Sequence, residues 1–299
     1  LNAGAGADTI LGGTAQDTLN AGSGNDTIDG QGGADIINAG DGNDSIQLTG
    51  VFGDDTIVGG ENGEASGDTL DGGALTENIT VTYSGPEAGS FSGAAGGTAT
   101  FSEIEAVTTG SGDDTLDASA DGTGVRINSG GGADSILGGA GDDFIASGAG
   151  NDSIDAGDGA NVVSAGDGDD TIAINDNFGT GVLVGGEGAE TDGDTLDGSG
   201  LTQSVNIVFS GDEAGNIDNG AGDSVDFAQI EGINTGSGND TINATNDTTG
   251  VEINAGAGDD VITGGGGADS LSGGQGADTV RGAGADSLFG GAGPDLFLI

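Results

Sequence analysis

The chain has 299 residues, with 51 acidic against 2 basic side chains and a formal charge of −49. It contains no Cys, His, Met or Trp, which excludes disulfides, thiol and imidazole catalysis, and zinc centres built on sulfur or nitrogen. Only Arg126 and Arg281 could neutralise phosphates, so nucleic acid is excluded as a direct partner.

Such a charge with 70 glycines would read as disorder or low complexity if it were aperiodic. It is periodic. Ala3 to Gln47 divides into five nonapeptides, with Asp8, Asp17, Asp26, Asp35 and Asp44 sixth and Ile10, Leu19, Ile28, Ile37 and Ile46 eighth. Small residues stand first and fourth, and second except at Gln31. The spacing then loosens, although Asp55 and Asp68 persist. Between Gly72 and Thr108 the nonapeptide disappears. Ile79, Val81 and Tyr83 there alternate with Thr80 and Thr82, and Ala99 and Phe101 continue the pattern, which predicts strands. Gly85-Pro86 and Gly96-Gly97 are turn signals. One nonapeptide containing Asp114 returns at Thr109, and a degenerate coil follows.

Ser129 to Ala173 is a second regular block, with Asp134, Asp143, Asp152 and Asp170 sixth and Asn161 as the one replacement. An offset of 126 residues then reproduces the chain: Asp68-Thr69-Leu70-Asp71 returns as Asp194-Thr195-Leu196-Asp197, Tyr83 as Phe209, Phe101 as Phe227, and Glu87 and Glu105 as Glu213 and Glu231. Asp240 matches Asp114. The last block, from Ala255, carries Asp260, Asp269, Asp278, Asp286 and Asp295, with one unit a residue short. We therefore expect one continuous solenoid over 1–299. Its regular blocks, the candidate metal-binding ones, are 3–47, 129–173 and 255–298, and its insert coils are 48–128 and 174–254, with no domain boundary at the inserts.

A unit of nine residues, one short strand and one six-residue turn, makes half a coil. Two units return the chain on itself, and coils stack as parallel strands about 4.8 Å apart. The fold class expected is all-β, a parallel β-solenoid with the eighth-position aliphatics inside. Glycines let the turns curl and present carbonyls toward a point between stacked turns, where the sixth-position Asp adds a carboxylate. Oxygen donors alone, in variable number, suit Ca²⁺ over Mg²⁺ or Zn²⁺. Turns on one edge belong to units two apart, so the expected pairs are Asp8 with Asp26, Asp17 with Asp35, Asp26 with Asp44, Asp134 with Asp152, Asp260 with Asp278 and Asp278 with Asp295. Asn161, lacking charge, weakens a site shared with Asp143. The inserts are not expected to hold such sites. Glu87, Glu213, Glu105 and Glu231 read there as turn or surface acids, with binding a partner or lining extra cation sites as the less favoured roles.

Units such as GGAGDDFIA and GGQGADTVR resemble the repeats-in-toxin (RTX), or hemolysin-type, calcium-binding repeat, G-G-x-G-x-D-x-U-x, over about half the chain. The resemblance implies a right-handed parallel β-roll with multiple Ca²⁺ between adjacent turns. It also implies type I secretion and folding on extracellular calcium. The inserts resemble segments of large bacterial surface proteins built on the same repeat. The chain is thus expected to be a calcium-binding structural segment of a secreted bacterial surface or matrix (S-layer-like) protein and a piece of a longer repetitive chain. An adhesin arm, or the secretion-and-folding module of a toxin or exoenzyme, is the alternative. No enzymatic activity is expected, since acids are everywhere and no pair is singled out. No membrane span is expected, because no apolar run is long enough. Self-association into a lattice or filament is a further expectation, from open solenoid ends.

Overall fold

Residues 1–63 and 65–299 are described in the computed structural model of the chain. Each nonapeptide lays down one strand of three to eight residues, and successive strands fall alternately in two sheets. The chain divides into two compact units, Leu1–Gly150 and Asn151–Ile299, and the division lies inside the middle nonapeptide block. Each is a parallel β-solenoid, and no helix is found among the described residues. None is therefore long and apolar enough to cross a membrane.

In the first unit one sheet pairs Ile10 with Ile28, Ile28 with Ile46, and Ile46 with Leu70. Leu70 pairs with Val107, Val107 with Ile127, and Ile127 with Ile145. Where the repeat is regular, partners are 18 residues apart, one coil of two nonapeptides. Parallel in-register stacking puts each eighth-position aliphatic directly on its equivalent, and these side chains are at most 5% exposed. Burying one of them contributes about 1.5–3 kcal/mol, so the narrow core is a ladder of like contributions. The second unit repeats the arrangement: Ile154, Ile172, Leu196, Ile233, Ile253 and Leu271 pair in succession.

The turn glycines have a geometric reason. Gly22 and Gly24, second and fourth in their unit, have φ of 118° and 127°. A Cβ at either would run into the carbonyl oxygen of Gly4 or Gly6 in the preceding coil. The stacked turns approach too closely for a side chain.

The inserts stay within the solenoid, and they add something that alternation alone did not reveal. In the first unit Ile79–Gly85, Ala88–Gly93 and Thr98–Ser102 form an antiparallel meander inside one sheet. Its outer strands rejoin the parallel pattern, Thr98–Ser102 beside Thr56–Val58 and Ile79–Gly85 beside Thr115–Asp117. In the second unit Asn206–Gly211, Ala214–Asp218 and Ser224–Ala228 do the same. The aromatics of the long repeat hold the meanders. Tyr83 packs edge-to-face on Phe101 at 5.3 Å and Phe209 on Phe227 at 5.2 Å, all buried.

Candidate metal centre between the turns

The sixth-position aspartates line the edges of the solenoid in columns. In the first unit the backbone N–H of Asp8 donates to Asp26 Oδ1 at 2.7 Å, and that of Asp26 to Asp44 Oδ1 at 2.7 Å. On the other edge the N–H of Asp17 donates to Asp35 Oδ1 and that of Asp114 to Asp134 Oδ1, both at 2.8 Å. The second unit builds the same columns. Asp152 donates to Asp170 at 2.7 Å, Asp240 to Asp260 at 2.8 Å, Asp260 to Asp278 at 2.9 Å and Asp278 to Asp295 at 3.2 Å. A carboxylate one coil away thus satisfies a turn N–H that the strands leave over, by a charge-assisted bond. The pairing of units two apart within each unit is as the spacing predicts.

One carboxylate oxygen is consumed this way and the other is not. Asp8, Asp26, Asp35, Asp44 and Asp114 in the first unit, and Asp170, Asp194, Asp240, Asp260 and Asp278 in the second, each have a buried Oδ2 without a hydrogen-bond partner. An unpartnered buried carboxylate oxygen is costly, and it calls for a cation or a proton. Where the turn begins with glycine, as for Asp35, Asp194 and Asp278, the Oδ2 turns toward that glycine. A Cβ at Gly30 would lie 2.6 Å from Asp35 Oδ2. One at Gly12 would lie 2.6 Å from the Gly30 carbonyl and 3.2 Å from Asp17 Oδ2. The missing side chain therefore leaves a space bordered by a carboxylate of one coil and a carbonyl of the next. All donors are oxygen, which fits calcium.

Burial pushes these carboxyls up; neighbouring carboxylates add to it at all but Asp240, and hydrogen bonds oppose it. Asp55 and Asp114 are raised to about 6, Asp194 and Asp260 to about 7. Asp35, Asp44, Asp170 and Asp240 move in the same direction, burial again the first cause.

Not every aspartate singled out by the spacing is equivalent. Asp143 Oδ2 accepts the Gly139 N–H at 2.8 Å, Asp269 Oδ2 that of Gly265 at 2.9 Å, and Asp286 Oδ2 that of Ala283 at 2.6 Å. Their second oxygen is satisfied inside their own turn. The neighbouring degenerate coils present Val125 and Val251, whose N–H groups donate to Asp143 and Asp269 Oδ1. Asp286 belongs to the shortened unit. Asn161 goes further, since its amide donates to the carbonyls of Ala156, Gly157 and Asp158 at 3.2, 3.2 and 3.3 Å. An amide there occupies turn carbonyls that elsewhere remain for a cation.

The columns also include residues that the regular spacing passed over. Asp55 accepts from Asp35 at 2.8 Å and Asp68 from Asp44 at 2.7 Å. In the second unit Asp194 accepts from Asp170 at 2.8 Å. Beyond them the N–H of Asp68 donates to Glu105, and that of Asp194 to Glu231 at 2.6 Å, so two insert glutamates stand in sixth position. The signal was the triplet, not the nonapeptide: Asp55-Thr56-Ile57, Asp68-Thr69-Leu70 and Asp194-Thr195-Leu196 keep acid-x-aliphatic, as do Glu105-Ala106-Val107 and Glu231-Gly232-Ile233. Asp121 and Asp247, also buried, have another role. Their carboxylates accept from Thr123 and Thr249 and from the backbone N–H of Glu87 and Glu213, which fastens the meander tips.

A family model described as the RTX calcium-binding nonapeptide repeat matches residues 1–28, 11–46, 126–154, 137–172, 252–280 and 282–297. These are the three regular blocks, while most of both inserts lies outside the matches. No curated protein matches the chain. Among solved structures the chain is similar to the crystal structure of the extracellular lipase LipA from Serratia marcescens, at 17% identity and a TM-score of 0.22. The match covers 75% of this chain and 38% of that one. A likeness at that level supports no argument about fold or activity.

Proposed function

The chain carries RTX calcium-binding nonapeptide repeats, and on that premise we propose that it is a calcium-dependent structural segment of a secreted bacterial surface or matrix protein, S-layer-like in character. The observation that carries the reading is the set of columns of buried aspartates, in which Asp26, Asp44, Asp260 and Asp278 among others have one carboxylate oxygen bonded to the adjacent coil and one left over. Calcium between the turns would supply the positive charge that the chain itself lacks, and would hold adjacent coils together without disulfides. Asp8, Asp26, Asp35, Asp44 and Asp114, with Asp170, Asp240, Asp260 and Asp278, are the residues best placed to hold it. Asp17, Asp134, Asp152 and Asp295 share those columns.

Because such sites exist only when turns are stacked, ion binding is folding free energy. The chain would stay extended at low calcium and become a stiff solenoid outside the cell, which suits export in an unfolded state by a type I route. The role is structural rather than catalytic, in keeping with a side-chain inventory that lacks His, Cys and Lys. Circular dichroism of the chain with calcium and with excess chelator tests this. Loss of the β signal on chelation and its return with calcium is expected, and a spectrum indifferent to chelator refutes the reading.

A further inference from the structure

A groove of about 460 Å³ lies on the outer face of one sheet in the first unit. One rank of its side chains crosses five adjacent strands: Ser45 pairs with Thr69, Thr69 with Ala106, Ala106 with Arg126, and Arg126 with Phe144. At about 4.8 Å per strand the rank is roughly 19 Å long. Thr108 and Asn128 belong to a second rank beside it. The long turn before Asp68 supplies a rim through Ser66 and Gly67. Asn43 holds that rim, its amide donating to the Gly67 carbonyl at 3.1 Å and accepting from the Ala65 N–H at 3.2 Å.

The groove is a product of the long repeat and not an accident of one coil. At the same offset the second unit has a groove of about 280 Å³. Gly193, Thr195, Gly232 and Asn234 line it where Gly67, Thr69, Ala106 and Thr108 line the first. Its rim is held by Asp169, in the place of Asn43, which accepts the N–H groups of Thr191, Asp192 and Gly193. The two linings differ in chemistry. The second is acidic, with Asp192, Glu231 and Glu252. In the first, Arg126 takes the place of Glu252. Asp44, the one acid among the described lining residues, is buried there with its Oδ1 on the Asp26 N–H.

A separate observation sets the first groove apart from ordinary surface. Phe144 is 48% exposed, while Phe52, Tyr83, Phe91 and Phe101 of the same unit are all buried. The Arg126 guanidinium lies over the Phe144 ring, 5.8 Å from its centroid. The pair gives the groove a wall that combines an apolar ring with several N–H donors. At the equivalent place the second unit has Ser270, and no ring lines its groove among the described residues.

We propose that the first groove is a binding site for an uncharged oligosaccharide. Sugar hydroxyls both donate and accept, which matches the hydroxyls of Ser45, Thr69 and Thr108, the Asn128 amide and the Arg126 donors. The C–H face of a sugar ring packs against Phe144. A cationic ligand would meet the guanidinium, and an anionic one the field of a chain of charge −49. A peptide adding to the sheet would need a free strand edge, whereas these strands are paired on both sides.

The long repeat also supplies the test. Arg126→Glu and Phe144→Ser each install the residue that the second unit carries at that place, where Glu252 pairs with Gly232 and Ser270 in the same register. Saturation-transfer NMR is run on the full chain, folded in calcium, with the linear tetrasaccharides of glucose, galactose, mannose and xylose as probes. Transfer to one or more of them is expected, with affinity reduced about tenfold or more in each variant. Phe289→Ser, at an exposed ring outside the groove, should bind as wild type does. Circular dichroism checks that each variant keeps the wild-type β signal, and if Arg126→Glu does not, Phe144→Ser decides. No transfer to any probe, or undiminished affinity in the folded groove variants, overturns the proposal. Tighter binding of tetragalacturonate than of every neutral probe also overturns it, because the site would then select anions. The groove needs only the folded sheet, so a β signal indifferent to chelator refutes the calcium reading without touching this one.

Discussion

Asp260 separates a ligand from a structural acceptor. Its Oδ1 accepts the Asp240 N–H at 2.8 Å, its own N–H donates to Asp278 Oδ1 at 2.9 Å, and its Oδ2 has no partner. Burial pushes the carboxyl up to about 7. Asp260→Asn keeps the shape and the oxygen that accepts from Asp240, but removes the charge. Without metal, at a pH above 7, the variant escapes the burial penalty on an ionised carboxylate. After allowance for screening, it should be more stable than wild type by about 1–3 kcal/mol. With calcium a hundredfold above its dissociation constant, each site lost removes about 2.7 kcal/mol. The substitution should therefore stabilise the metal-free chain yet narrow the calcium-induced gain by about 2.7 kcal/mol for each site lost, so the advantage over wild type seen in chelator shrinks or reverses in calcium. Denaturant unfolding followed by circular dichroism measures both arms, the metal-free one in chelator with a stabilising osmolyte. Equal destabilisation in chelator and in calcium would make Asp260 a structural acceptor and refute the assignment.

Asn161→Asp exchanges three amide bonds to turn carbonyls for a charge. It should cost about 1–3 kcal/mol in chelator and add one bound ion in calcium, read by native mass spectrometry; no added ion would count against the turn carbonyls as ligands. The raised carboxyls set the pH response. Asp194, Asp260 and Glu231 have folded values near 7, above the unfolded values near 4, so the folded state holds more protons between those limits. The metal-free chain should be most stable below about pH 4 and lose that stability as pH rises toward about 7, while calcium affinity falls on acidification over the same range. A pH series of chelator and calcium titrations checks both slopes, and a metal-free chain better ordered at pH 8 than at pH 4 contradicts them. Gly24→Ala should cost about 1–3 kcal/mol because φ is 127° and the new Cβ meets the Gly6 carbonyl. Gly122→Ala, with open space around its Cβ, should stay within about 0.5 kcal/mol of wild type in the same melt.

The nine-residue period, by itself, determined the parallel stack, the inward aliphatics and the pairing of Asp8 with Asp26 or Asp260 with Asp278. In each case the cause is local and repeated: an aliphatic every ninth residue must alternate between two sheets, and identical turns must stack. The unequal roles of those aspartates were not legible in that way. Asp143 and Asp269 look like Asp260 in sequence, yet each takes a backbone N–H of its own turn on its second oxygen, a difference of turn conformation that the spacing does not carry. Asp68, Asp194, Glu105 and Glu231 were hidden by irregular spacing, although strand pairing returns them to the same column. Only the tertiary structure decided that each insert folds as an antiparallel meander, and that the meander carries Glu87 or Glu213 to two glutamates from distant turns. A periodic pattern specifies contacts between neighbouring coils. Contacts among a long turn, a hairpin tip and a returning coil depend on how the chain closes loops of unequal length, which no local period encodes.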